Sequence, residues 1–127
     1  MTTSPGAGTA TTGRDLPHPP GDAIRLDQVL HALADPVRLA IVAALAADPG
    51  EALPCSALPV PVTKSTATHH FRVLRESGVI RQCYRGTAKL NELRRAELAG
   101  LFPGLLDAVL IAAAREGERG RQGAATG

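Results

Sequence analysis

Between Thr63 and Arg72 the chain carries Lys64, Ser65, Thr66, Thr68, His69 and Arg72 in close succession. Cationic and hydroxyl side chains hold phosphate oxygens, and side chains projecting from a helix read base edges in a major groove. Ala67, Phe71 and Leu74 recur at i, i+4 and i+7, the spacing of one apolar helix face. Thr68, His69 and Arg72 then point largely away from that face. The same residues would also serve as a merely solvated surface. Read as a binding face, Thr66, Thr68 and His69 go towards bases, and Lys64, Ser65 and Arg72 towards phosphate or bases. The helix N-terminus beside Lys64 and Ser65 itself favours an anion.

A second set follows. Val79–Tyr84 and Thr87–Leu93 read as two short strands around Arg85-Gly86, a hairpin signal. Arg81, Arg85 and Lys89 lie on it, with Gly86 allowing a tight tip; a hairpin arginine suits a minor groove or its phosphates. Residues 62–95 hold eight Lys and Arg against two acids, a net of +6, whereas residues 1–61 carry −3 and residues 96–127 carry −1. Focused positive charge suits a polyanionic partner.

Other chemistries are poorly served. His69 and His70 are adjacent, so on a helix they diverge by about 100° and chelate one ion badly. Cys55 and Cys83 offer one soft ligand each, too few for a metal site, and are read first as packed small residues in a reducing compartment. A Cys55–Cys83 redox pair requires the hairpin to fold back. There is no glycine-rich phosphate loop, HExxH or GxSxG, so no catalytic residue, metal site or cofactor is expected.

The elements that position these residues follow from pattern and punctuation. The 127 residues leave room for one domain, and the three aromatics, Phe71, Tyr84 and Phe102, leave an aliphatic core. No apolar run approaches the ~18 residues that span a bilayer, and no secretory pattern opens the chain; a cytoplasmic protein is expected, with no membrane partner. Leu26, Val29, Leu30 and Leu33 form one helical stripe. Asp35-Pro36 starts a second helix with buried face Val37, Ala40, Ile41, Ala44 and Leu45, stopped at Asp48-Pro49-Gly50. Prolines limit the next helix to about Leu53–Ala57. A longer helix opens at Thr63-Lys64-Ser65, with Thr63 or Ser65 as its cap, and ends at Gly78. Arg94–Leu101 and Gly104–Arg115 are helical, with a long stripe of Leu98, Leu101, Leu105, Ala108, Val109 and Ala112 that exceeds a monomer's needs. Residues 1–20 and 117–127 are too poor in apolar side chains to order themselves, leaving 21–116 as the domain. The class is mainly α with a small β-hairpin, a winged helix-turn-helix.

Two segments, LADPVRLAIVAAL from Leu33 and the Ser65–Ile80 pattern STxxHHxxVLRExGxI, resemble the ArsR-type bacterial transcriptional regulators. The Arg-Gly hairpin follows in the expected place, and the resemblance covers about residues 24–115. The proline-rich Leu53–Ala57 stretch departs from it. The resemblance implies a homodimer, joined through the N- and C-terminal helices, that binds double-stranded DNA at a near-palindromic operator, mostly as a repressor. Many relatives release DNA on binding metal or on thiol oxidation. Here the Cys-x-Cys site of some relatives lacks its second cysteine, and the C-terminal helix has no His. A metal- or redox-responsive sensor using Cys55 or Cys83 is the alternative within the class; the inducer, metal or small molecule, is open. The alternative outside it is a winged-helix protein-interaction module that does not bind DNA.

Overall fold

The computed structural model describes residues 14–126 apart from Pro49, Glu51, Pro61 and Val62. Two compact units divide at Arg94/Arg95. The first contains strand β1 (Arg14–Asp15), helices α1 (Leu26–Leu33) and α2 (Pro36–Ala47), strand β2 (Leu53–Pro54), helix α3 (Lys64–Glu76) and the hairpin β3 (Ile80–Arg85) and β4 (Ala88–Leu93). The second contains α4 (Arg95–Leu101) and α5 (Leu105–Thr126).

The α1–α2 corner forms as its residues dictate. The Asp35 carboxylate accepts from the backbone N–H groups of Val37 at 2.9 Å and Arg38 at 3.0 Å, and Pro36 takes the first helical position. The two helices bend by 99° across this corner. The buried face of α2 is Arg38, Ile41, Val42 and Leu45; Ala40, expected inside, is exposed, so the stripe is rotated towards Val42 and admits an arginine.

The apolar part of this unit's core is aliphatic apart from Phe71: Val29, Ile41, Val42, Leu45, Leu74, Val79 and Ile80 are all at most 2 % exposed. Gly78 ends α3 with φ +88°, and a Cβ there would stand 2.5 Å from Ile24 Cγ1. Both the backbone conformation and the close approach of Ile24 require glycine.

The sheet is antiparallel in the order β1-β3-β4-β2. Ile80 pairs with Leu93, Gln82 with Asn91 and Tyr84 with Lys89, which places these rows on one face. Arg81 with Glu92, Cys83 with Leu90 and Arg85 with Ala88 lie on the other. Because Arg85 pairs with Ala88, the turn is Gly86-Thr87, one residue later than Arg85-Gly86; Gly86 has φ +64°, a cost-free conformation only for glycine.

Three other readings change. The expected helix at Leu53–Ala57 is instead β2, paired with β4, followed by a single 3-10 turn at Cys55–Ala57. The prolines leave no room for an α-helical ladder, and extended Leu53-Pro54 finds backbone partners across the sheet. Arg14–Asp15, within a stretch read as disordered, forms a strand with β3; residues 1–13 lie outside the described residues.

In the second unit α5 runs to Thr126, well past the expected end near Arg115. Glu116 precedes Arg119, and Glu118 precedes Arg121, by three residues, a spacing that offsets only part of the helix cost of Gly117 and Gly120. Gly104, φ +81°, lies in the break between α4 and α5, which bend by 112°. Among the described residues no single helix is long and apolar enough to cross a membrane.

Candidate nucleic-acid interface

Helix α3 begins where Thr63 Oγ1 accepts from the Thr66 N–H at 3.4 Å, which settles the cap on Thr63. The Thr63 hydroxyl also donates to Thr66 Oγ1 at 3.0 Å, and Thr68 Oγ1 donates to the Lys64 carbonyl at 2.9 Å. His70, Phe71 and Leu74 are buried and Ala67 is half-buried, whereas Lys64, Ser65, Thr66, Thr68, His69 and Arg72 are all exposed. The six residues singled out on this helix therefore share its outer face.

On the hairpin, Arg85 and Gly86 are exposed at the tip, and Arg81 and Lys89 are half-buried. Lys89 Nζ lies over the Tyr84 ring, 5.6 Å from its centroid, so its charge is held on the sheet rather than loose in solvent. Arg81 stands opposite Glu92 in the register. Lys64, Arg72, Arg81 and Arg85 form no ion pair with any described residue.

The +6 of residues 62–95 is not all presented to a partner. Arg75 Nη1 donates to Gln82 Oε1 at 2.7 Å, and buried Arg94 donates through Nη1 to the Pro19 carbonyl at 2.7 Å. These two cations hold the fold together. Gln82 and Asn91, both fully buried, continue the first contact: Gln82 Nε2 donates to Asn91 Oδ1 at 2.7 Å, and Asn91 Nδ2 donates to the Leu53 carbonyl at 3.1 Å and towards Cys55 Sγ at 3.3 Å. A polar chain thus crosses from α3 through β3 and β4 to β2. Sequence reading missed it, although Gln82 between Ile80 and Tyr84 at strand spacing was the available signal.

His70 is part of a second buried cluster. Arg38, 7 % exposed, donates through Nε to the Ala32 carbonyl at 2.8 Å, through Nη2 to His31 O at 3.2 Å and through Nη1 to His70 Nδ1 at 3.3 Å. A guanidinium only donates, so Nδ1 accepts. The Asp35 carboxylate, 3.8 Å from that nitrogen, contributes field rather than a hydrogen bond. Its own pKa is held below the ordinary carboxylate value, chiefly by the Arg38 N–H, against burial and with help from the charges of Arg38 and His70. His69 and His70 differ in burial, their rings 5.8 Å apart and tilted by 54°, so the pair does not converge on one ion.

Neither cysteine is in a disulfide, and both are half-buried. Cys55 Sγ contacts Asn91 on the face shared with Gln82, whereas Cys83 projects from the opposite face of β3. A direct Cys55–Cys83 bond would have to pass through the sheet. Among the described residues no group of three or more His, Cys, Asp or Glu is arranged as metal ligands.

Known proteins share this architecture. A family described as a helix-turn-helix domain matches residues 33–83, from the end of α1 into β3. The crystal structure of an ArsR family transcriptional regulator superposes with a TM-score of 0.53 at 23 % identity, covering 73 % of this chain and 96 % of that one. No curated protein sequence matches the chain. The matched domain, the hairpin that follows α3 and the shared fold agree with the resemblance carried by the two sequence segments: the chain contains a helix-turn-helix domain and has the winged helix-turn-helix fold.

Proposed function

We propose that this protein is a DNA-binding transcriptional regulator that inserts α3 into a major groove. The observation that carries the reading is the continuous exposed face of Lys64, Ser65, Thr66, Thr68, His69 and Arg72, whose cations have no acidic partner among the described residues. Thr66, Thr68 and His69 address base edges. Although the Thr68 hydroxyl proton is committed to Lys64 O, its oxygen still accepts. Lys64, Ser65 and Arg72 address phosphates or bases, and Arg85 at the Gly86 tip reaches the minor groove or its phosphates. Arg81 and Lys89, partly engaged with the sheet, add field more than contact.

The protein works as a homodimer on a near-palindromic site and represses transcription by occupying it in the cytoplasm. Support for pairing comes from apolar side chains left in water: Leu26 and Leu30 on α1 are 46 % and 45 % exposed, and Ile111 on α5 is 56 % exposed. A twofold pair would set two α3 helices about 34 Å apart, one turn of duplex. Nothing in this reading calls for a catalytic group or a bound cofactor.

Selection of bound duplexes from a random pool, with and without divalent metal and reductant, tests it. A recovered inverted repeat supports the operator reading, and an effect of either addition would expose a switch. A pool left unenriched under every condition contradicts it and favours a protein-interaction module.

A further inference from the structure

The polar chain that leaves Arg75 runs in a single direction. A guanidinium donates and never accepts, so Arg75 Nη1, 2.7 Å from Gln82 Oε1, fixes the Gln82 amide with its oxygen towards α3. Gln82 Nε2 then donates to Asn91 Oδ1, and Asn91 Nδ2 to the Leu53 carbonyl, an acceptor that closes the series. Gln82 pairs with Asn91 and Asn91 with Leu53 in the strand register, so the three follow one row across β3, β4 and β2. Both amide side chains belong to residues that are 0 % exposed.

Stability alone does not account for this arrangement. It buries two amides completely, and Arg75 Nε is buried with no hydrogen-bond partner among the described residues. Apolar side chains of similar shape would fill the same space with little loss of stability. What they would lack is direction. Hydrogen bonds of 2.7, 2.7 and 3.1 Å hold the strands and α3 in one mutual setting, whereas apolar surfaces slide. The tie also stands close to the hairpin tip. Gln82 precedes Arg85 by three residues of β3. That is roughly 10 Å of strand, so a tilt of about 15° at Gln82 shifts the Arg85 backbone by about 2.5 Å, nearly a hydrogen-bond length.

We propose that Gln82 is a positioning residue for DNA binding. With Arg75 and Asn91 it fixes the hairpin tip relative to α3, so that Arg85 and the α3 face engage one duplex together. This deepens the DNA-binding reading above and rests on it. Gln82 itself, fully buried, touches no nucleotide.

The test is binding of the full chain, across a salt series, to a duplex recovered from the random pool. The variants are Gln82→Met with Asn91→Leu, Arg85→Ala, and all three substitutions together. The buried pair is uncharged, so its replacement leaves every cation in place, and a change in salt slope then reports a lost phosphate contact. The pair variant is expected to melt within a few degrees of the parent, to bind about threefold to tenfold more weakly and to lose about one phosphate from the slope. Adding Arg85→Ala to it is expected to weaken binding little further, because both changes remove the same contact. Arg75→Met, at a half-buried position, severs the tie at α3 and leaves Gln82 bonded to Asn91, which keeps the test open if the pair variant melts early. Its effect is expected to overlap with that of Arg85→Ala in the same way, whereas loss of charge alone would multiply with it. If the folded variants keep the parent's affinity and slope, or if their effects multiply with that of Arg85→Ala, the chain is packing only; the inference is overturned and the functional reading stands. If the parent binds no duplex, or if Arg85→Ala leaves its binding unchanged, the reading of α3 or of the hairpin fails at that point and takes this inference with it.

Discussion

Nη1 of Arg38 lies 3.3 Å from Nδ1 of His70, and this contact fastens the α1–α2 corner to α3, the helix that carries the proposed binding face. The same guanidinium donates to His31 O and Ala32 O in the last turn of α1, where orphan carbonyls and the helix dipole both favour a cation. One side chain thus joins three helices. His70 faces inward from the same turn as His69, so the pose of the exposed residues depends on the buried one.

Arg38→Ala should therefore cost about 2–4 kcal/mol, since it strands the Ala32 carbonyl and His70 Nδ1 without a donor. Urea unfolding measures it. Arg38→Lys should recover only part, because one ammonium nitrogen cannot reach the three acceptors that Nε, Nη1 and Nη2 meet separately. A loss below about 0.5 kcal/mol for Arg38→Ala would mean that water replaces the clasp.

Acid should loosen the corner. The Asp35 pKa is lowered by folding, so its contribution is fully present above the unfolded carboxyl's titration range, near 3.9, and fades as pH falls through the lower folded value. Asp35→Ala should lose about 1 kcal/mol at neutral pH through the missing cap. Asp35→Asn should keep most of the cap and remove this part of the acid sensitivity. Melting curves between pH 7 and pH 2 compare them; identical pH profiles for the parent and Asp35→Asn would refute the assignment.

In the proposed homodimer, Leu30→Glu should shift the equilibrium from dimer to monomer, read by sedimentation equilibrium. The side chain is nearly half exposed beside Leu26 on α1, so the charge costs little in the isolated chain and much across an interface. An unchanged dimer would place the interface elsewhere.

Arg85→Ala should weaken binding to all duplexes about equally and flatten the salt slope by about one phosphate. Loss of sequence preference at unchanged slope would instead make Arg85 a base reader.

The sequence made the helices legible where local chemistry and long-range packing agree. Asp35-Pro36 names its own cap, Gly78 its own stop, and the Ala67, Phe71 and Leu74 spacing identifies the inner face of α3. It failed where partners are distant. Gln82 and Asn91 become a pair only through strand register, Leu53-Pro54 becomes β only because β4 offers its edge, and Arg14 is a strand residue only beside Tyr84. Charge counting also overstated the available cations, because a formal charge says nothing about which arginines the fold engages; Arg75 and Arg94 are held in internal contacts.

The most direct measurement of major-groove insertion is methylation protection at guanine N7 on a selected duplex, with the parent chain and with His69→Ala and Arg72→Ala. Guanines within each half-site should be shielded by the parent, and the variants should lose about 1–3 kcal/mol of preference for the selected site over a scrambled one. Full N7 reactivity under saturating protein, or variants that discriminate as well as the parent, would contradict the placement of α3 against base edges.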